Sequence, residues 1–370
     1  MRSTIKCAVP AYSEEMIGAA ANVLRSGNLV QGDCVTAFED EFRDYLETDA
    51  DVIACSSGTA ALHLALLGVG VRPGCEVIVQ PVGFFATVEA VLHCGATPVF
   101  CSTDEWGRMT PEAVQRALSP HTAAIVCTHV YGAACDVRGI QAVSEGTPVV
   151  EDAAQAHATG LPSGERAGTV GTAGCFSFFA TKHTHTGGEG GAVVAHCNEV
   201  ANSADMRRSH GMLGRDNHLM LGYNYRMTEL AAAIGRVALS GLPDRAQRIA
   251  SRSVTLQKTI ANETDLRTVP PDMQLGHGWF WCPVMCNSVA QAHALRGHLE
   301  KRGIETRYRY SAPFWTQPIL KTYSHEIRTI KGDESPAGFH VGLPNHHNLT
   351  VEEMRRIVDA CAEFAPREMT

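Results

Sequence analysis

The chain has 370 residues, of which 45% are hydrophobic and 19% charged, with a formal net charge of -8 at neutral pH. That is the balance of a water-soluble globular protein large enough for a sizeable core plus a smaller unit, and the acidic excess, with no run of Lys or Arg, speaks against a nucleic-acid partner. No 18-residue apolar stretch occurs and the first residues carry no apolar signal core, so a cytoplasmic protein without a membrane partner is expected.

The first predicted element is an amphipathic helix over residues 13–25. Met16, Ile17, Ala20, Val23 and Leu24 share one face, Ser13 can cap the start and Gly27 can end it. A second helix follows, with Val35, Phe38, Phe42 and Leu46 at helical spacing. From there β-branched runs at 52–54, 76–79, 98–101, 124–127 and 148–150 alternate with helical segments around 60–67, 87–93, 111–118 and 137–145. Thr110 as N-cap and Pro111 at the first helical position signpost the third of these helices. Strand and helix alternating at this spacing predict a mainly parallel sheet covered on both faces, with its chemistry beyond the carboxyl ends of the strands. After about residue 245 the pattern changes. Helices at 243–260, 290–302 and 351–364 flank strand-like pieces at 278–284 and 305–310, enough for a smaller α+β domain. The expected division is therefore a large domain at 1–245 and a small one at 246–370.

Three segments have chemical potential. Ser56-Ser57-Gly58-Thr59-Ala60 joins a predicted strand to a predicted helix, where backbone amides and the helix dipole can hold an anion; a simply capped helix start is the alternative. Glu151-Asp152 ends an apolar strand. Alternation sends one acid toward a cleft and the other away, as a metal ligand, a general base, a partner for a buried cation, or a helix cap. The third segment runs from Gly174 through Phe176-Ser177-Phe178-Phe179 into Lys182, with Gly187-Gly188-Glu189-Gly190-Gly191 after it. A lysine flanked by apolar groups and glycines can be desolvated, which favours the neutral amine needed for Schiff-base chemistry; an ordinary surface lysine is the alternative.

No metal site is expected. The histidines lack His-x-x-x-His spacing, and the 13 cysteines, read as reduced thiols, include no second pair to join Cys282 and Cys286. No Gly-x-Ser-x-Gly elbow points to a serine hydrolase.

Taken together, Leu24-Arg25-Ser26-Gly27, Ser57-Gly58-Thr59-Ala60-Ala61-Leu62, Glu151-Asp152-Ala153-Ala154-Gln155-Ala156-His157, Phe176-Ser177-Phe178 with Lys182, Glu189-Gly190-Gly191, Asn224-Tyr225-Arg226-Met227 and Leu343-Pro344 closely resemble the sugar aminotransferases of the DegT/StrS family, in order and spacing, over nearly the whole chain. The resemblance implies an aspartate-aminotransferase-like α/β fold, with a mostly parallel seven-stranded sheet between helices and the smaller α+β domain. It implies pyridoxal 5'-phosphate as cofactor, carried by Lys182, with Asp152 on the pyridinium nitrogen and Gln155 on the phenolic oxygen. Phe84 would stack on the ring, and Gly58, Thr59, Ala60 and Ser177 would hold the phosphate, aided by Asn224 of a neighbouring subunit, so that a homodimer shares its active sites. His183, His185, Arg226 and Tyr308 are the candidates for substrate contact.

The implied reaction moves an amino group from glutamate or glutamine to a keto-sugar, commonly a nucleotide-linked 3- or 4-keto sugar. A keto-cyclitol or a free sugar acid is the alternative acceptor, and Arg207, Arg208, Arg307 and Arg309 are candidates for its anionic groups. A pyridoxamine-dependent dehydratase, whose relatives have histidine in place of the lysine, and a non-catalytic regulatory member are the alternative functions. Two positions depart from the pattern. Gly83 stands where a larger residue is usual, which would widen the pocket, and His185 is unusual in the segment after the lysine.

Overall fold

The computed structural model describes residues 3–10, 12–214, 216–307, 310, 312–323, 327–330 and 338–365. Helix α1 (Glu14–Ser26) starts where expected: the Ser13 hydroxyl accepts from the Met16 amide, and Gly27 closes the helix in the left-handed region at φ 75°. Only part of its apolar stripe is covered. Met16 and Val23 are buried, whereas Ile17 and Leu24 stay exposed on the single chain. Helix α2 (Asp33–Leu46) buries all four predicted residues, Val35, Phe38, Phe42 and Leu46.

The alternation then unfolds as read. Strand β1 (Asp51–Cys55) leads to α3 (Gly58–Gly68), β2 (Glu76–Val79), α4 (Ala86–His93), β3 (Thr97–Phe100), α5 (Pro111–Ala117), β4 (Thr122–Thr128), α6 (Val137–Val143) and β5 (Val149–Asp152). Strands β6 (Ala173–Ser177) and β7 (Gly191–Ala195) and helices α7 (Asn198–Arg208) and α8 (Glu229–Ser240) follow. The strands order as β1-β7-β6-β5-β4-β2-β3, with β7 antiparallel to both neighbours and β3 through β6 parallel.

The sheet has eight strands among the described residues, one more than the seven the resemblance implied. The eighth, β10 (Arg328–Thr329), pairs with the β3 edge; two residues are too short for a periodic signal. Successive residues point to opposite faces, so Ile53, Val77, Val79 and Val150 pack in one cluster while Ala54, Ile78, Ile125 and Val149 pack in another. The first cluster includes residues of α3, α4 and α7, the second residues of α2, α5, α6 and α8.

The remaining chain builds a three-stranded antiparallel sheet, β11-β9-β8, from β8 (Arg267–Thr268), β9 (Cys282–Met285) and β11 (His340–Leu343). Helices α9 (Leu242–Glu263), α11 (Val289–Glu300) and α12 (Val351–Phe364) supply Leu256, Ile260, Leu295, Leu299, Ile357 and Cys361 to its core. A single turn, α10 (Pro271–Gln274), precedes β9. The predicted strand at 278–284 starts later, because Trp279 turns the backbone into the left-handed region at φ 50°. Of the predicted strand at 305–310, Arg307 bridges to Gly342, and Tyr308 and Arg309 lie outside the described residues.

Candidate active site

The carboxyl ends of β1, β5 and β6 converge on the predicted residues. Ser57 caps α3, its hydroxyl accepting from the Ala60 amide at 3.1 Å, as the capped-helix reading expected. Gly58 is needed for close packing: a Cβ there would lie 2.7 Å from Ser177 Cβ. This brings the α3 N-terminus, with its free amide groups, against the end of β6. Gly58, Thr59, Ala60 and Ser177 therefore do come together.

The two acids of β5 separate as alternation requires. Glu151 is fully buried and takes four donors: the His129 ring nitrogen Nε2 at 2.9 Å and the amides of Gly168, Val170 and Gly171 at 2.7, 2.7 and 2.6 Å. The Cys135 amide donates to His129 Nδ1 at 3.1 Å, so the ring carries its proton on Nε2 and donates it to Glu151. Burial, the largest influence, pushes the Glu151 carboxyl up; the His129 hydrogen bond and the Gly171 and Gly168 amides outweigh it and hold the carboxyl below its usual range.

Asp152 faces α4. It is 4% exposed and accepts from the Thr87 hydroxyl at 2.7 Å, the Thr128 hydroxyl at 3.4 Å and the Ala154 amide at 3.2 Å. Among the described residues no Lys, Arg or His forms an ion pair with it. Thr87 and Thr128 had not been singled out. Thr87 opens a predicted helix and Thr128 follows directly on a predicted strand, but no local pattern says that two hydroxyls from separate elements meet one carboxylate.

Gln155 is buried, its Oε1 accepting from the Tyr131 amide and its Nε2 donating to the Tyr310 hydroxyl, both at 2.8 Å. Phe84 is exposed just before α4. At Gly83 a Cβ would make ordinary van der Waals contact with Phe314 Cζ at 3.6 Å and Thr128 Cγ2 at 3.8 Å, so Phe314 is the neighbour on that side.

After β6 the chain doubles back. Phe178 and Ala180 amides donate to the carbonyls of Gly190 and Gly188, and the Lys182 amide donates to Phe179. This loop leaves Lys182 half-buried with Nζ 4.6 Å from the centre of the Phe280 ring, a partner 98 residues away that no local signal marks. His183 is half-buried, its Nδ1 has no hydrogen-bond partner, and burial, then the Arg307 charge, push its pKa down to about 4. His185 is buried, packs edge-on against Tyr12 at 4.9 Å, accepts from the Gly187 amide, and lines a small cavity beside Lys182.

The other candidates lie apart. Asn224 is exposed and its backbone bridges to Ser209; Arg226 donates to the Ser209 hydroxyl at 3.2 Å and lines a separate surface hollow with Val30, Gln31 and Met212. Arg208 is occupied structurally by Glu39, Asp205 and the Ala54 carbonyl, and Arg207 by Ser203 and the Leu221 carbonyl. Tyr308 lies outside the described residues. A surface hollow of about 800 Å³ is lined by Glu47, Asp49, Asp51 and Arg166 at the start of β1. It is at the wrong end of the parallel strands for this chemistry and contains none of the predicted residues.

The sequence profile of the DegT/DnrJ/EryC1/StrS aminotransferase family matches residues 10–362. The chain belongs to this family. Among curated members it is 32% identical to the dTDP-3-amino-3,4,6-trideoxy-alpha-D-glucose transaminase of Streptomyces venezuelae, over 98% of this chain and 95% of that one. It is 30% identical to a pleiotropic regulatory protein of Geobacillus stearothermophilus, over 95% and 94%. The crystal structure of S. venezuelae DesV in complex with a ketimine intermediate superimposes with a TM-score of 0.91 at 32% identity, covering both chains completely.

This member of the DegT/DnrJ/EryC1/StrS family is thus a pyridoxal-phosphate-dependent aminotransferase. Its residues fit that cofactor on three observations. A buried carboxylate at Asp152 forms no ion pair with a cation among the described residues, a helix N-terminus meets Ser177 in contact too close for a side chain at Gly58, and Lys182 follows β6 with its amine at an apolar ring. Among the described residues no helix is long and apolar enough to cross a membrane.

Proposed function

We propose that the chain transfers an amino group from glutamate or glutamine to the ketone of a nucleotide-linked 3- or 4-keto sugar, giving an amino sugar. The reading rests chiefly on Asp152, a buried acid that lacks a cationic partner among the described residues and so suits a protonated ring nitrogen. The bound cofactor supplies an electron sink that stabilises negative charge at the substrate carbon. Asp152 holds the proton on the ring nitrogen, and the Thr87 and Thr128 hydroxyls fix the direction of its carboxylate. Lys182 would carry the cofactor and would hold and move the proton at the substrate carbon, with the Phe280 ring covering its amine on one side. Gly58, Thr59, Ala60 and Ser177 orient the phosphate, Phe84 covers the ring, and Gln155 holds the phenolic oxygen in place of its present contact with Tyr310. Asn224, exposed on the single chain, reaches the phosphate of a second copy, which makes the working unit a homodimer. A nucleotide-linked acceptor is supported by the relative named for a dTDP-linked amino sugar.

Protein loaded with pyridoxal phosphate should lose its visible absorbance and gain that of the pyridoxamine form on adding glutamate or glutamine. A panel of nucleotide-linked keto sugars should then reverse the change. No shift with any amino donor, or reversal only by keto-cyclitols or free sugar acids, would overturn the reading or its acceptor.

A further inference from the structure

A small cavity of about 40 Å³ opens beside Lys182, lined also by His183, Arg245, Arg307, His346 and His347. It meets the site described above at Lys182; Asp152, Gln155, Ser177 and Phe84 do not line it. Its chemistry is one-sided, since no Asp or Glu is among the described residues that line it. Arg245 spends its donors on the carbonyls of His183 and Ala238, and Arg252 donates to the His347 carbonyl. Asp244, the acid next in sequence, is engaged by Arg248. The Nδ1 atoms of His183 and His346 are buried without a hydrogen-bond partner.

The charges respond to this crowding. Burial and then Arg245 lower the His347 pKa; burial lowers that of His346, with Glu353 opposing and Arg252 and Arg307 reinforcing. Burial also lowers the pKa of the Arg245 guanidinium, although Asp244 and Tyr45 oppose it. Buried cations are ordinarily paired, so a guanidinium facing carbonyl dipoles, beside two imidazole Nδ1 atoms without partners, calls for an anion from outside the chain. The cavity volume exceeds the roughly 10–15 Å³ needed for a water, and is far too small for a hexose. A carboxylate fits it, in size and in its match to guanidinium donors.

We propose that this pocket, centred on Arg245 and His347, binds a carboxylate of a substrate whose reacting carbon lies at Lys182. The inference rests on the aminotransfer reading and adds the recognition element that reading lacks. The carboxylate has two possible sources, the amino donor and an acidic sugar acceptor.

The test uses the pyridoxal-phosphate-loaded protein and calorimetric titration with glutarate, which has the donor's carboxylates but neither amine nor ketone. Glutarate should bind, Arg245→Gln should weaken it at least tenfold, and Arg245→Lys should recover part of the loss. Arg245 also anchors two carbonyls, so His347→Asp provides a second variant that places a negative charge in the pocket and should abolish binding. Titration with glucuronate separates the sources: tight glucuronate binding with the same dependence on Arg245, and none of glutarate, assigns the pocket to the acceptor. Failure of both carboxylates to bind the unmodified protein, or unchanged binding in folded Arg245→Gln or His347→Asp, overturns the proposal. Glutarate cannot be transaminated. Its failure to bind while glutamate still shifts the absorbance removes only the pocket, and the opposite pattern removes only the aminotransfer reading.

Discussion

Glu151 and Asp152 stand side by side at the end of β5, and the chain treats them in opposite ways. Glu151, on the face shared with α6, is enclosed by an imidazole N–H and three backbone amides. Asp152, on the face shared with α4, has two hydroxyls and one amide, two of these contacts beyond 3.1 Å. An ionised carboxylate offers about four lone-pair sites. The first acid is saturated by its own fold, and its task is to fasten the 168–171 turn and His129 to the sheet. The second keeps capacity in reserve, although burial makes reserve capacity costly. A structural charge is satisfied from within; a charge left short, at the carboxyl end of a parallel strand, is where a ligand belongs.

The comparison breaks most directly at Glu151. Replacing it by Gln keeps the shape but turns an N–H₂ group toward donors, and leaving buried polar groups unsatisfied in this way costs about 1–3 kcal/mol. Thermal or urea unfolding of Glu151→Gln should show that loss, and a change below about 1 kcal/mol would sink the structural assignment. A pH signature accompanies it. The folded carboxyl titrates below its unfolded value of 4.5, so its contribution is complete above that pH and disappears as the pH falls through the lower folded value. The natural protein should lose stability below pH 4.5 more steeply than Glu151→Gln does.

Asp152→Asn should do the reverse. Removing one pre-organised charge at a reacting centre lowers turnover by roughly 10²–10³-fold. Stability should move by less than about 1 kcal/mol, because the amide keeps an acceptor for Thr87 and the cost of burying an unpaired charge is gone. Parallel measurement of amino transfer and melting temperature decides the matter. Full turnover, or a stability loss like that of Glu151→Gln, would make the two faces equivalent.

Much of this was legible beforehand because it is local. The α1 and α5 caps, the four-residue stripe of α2 and the strand–helix rhythm are encoded within a turn or two of the residues concerned. Alternation said that Glu151 and Asp152 must diverge, without saying which faced the cleft; the answer lies in Thr87 and Gly168, distant in sequence. Contacts that cross the fold left no trace. The Phe280 ring at Lys182, Arg245 beside His183, and Phe314 beside Gly83 each depend on elements more than 60 residues away. His185 is a mixed case: its place after the lysine marked it, and it both packs against Tyr12 and lines the cavity beside Lys182.

A third carboxylate tests whether saturation by amides marks a structural acid elsewhere in the molecule. Helix α2 begins at Gly32, which has no side chain to cap it, and Glu229 from α8 takes over: Oε1 accepts from the Gly32 and Val35 amides and Oε2 from Cys34, each at 2.9 Å. Burial alone would raise the Glu229 pKa, but the Cys34, Val35 and Gly32 amides bring it below the usual carboxylate value. Loss of a capping group costs about 0.5–2 kcal/mol, less than at Glu151 because the α2 amides can recruit water at the surface. Glu229→Ala should therefore unfold at slightly lower urea with its absorbance response to amino donors unchanged. If that response disappeared while the protein stayed folded, amide saturation would not separate structural from functional acids, and the contrast between Glu151 and Asp152 would have to rest on their positions in the sheet alone.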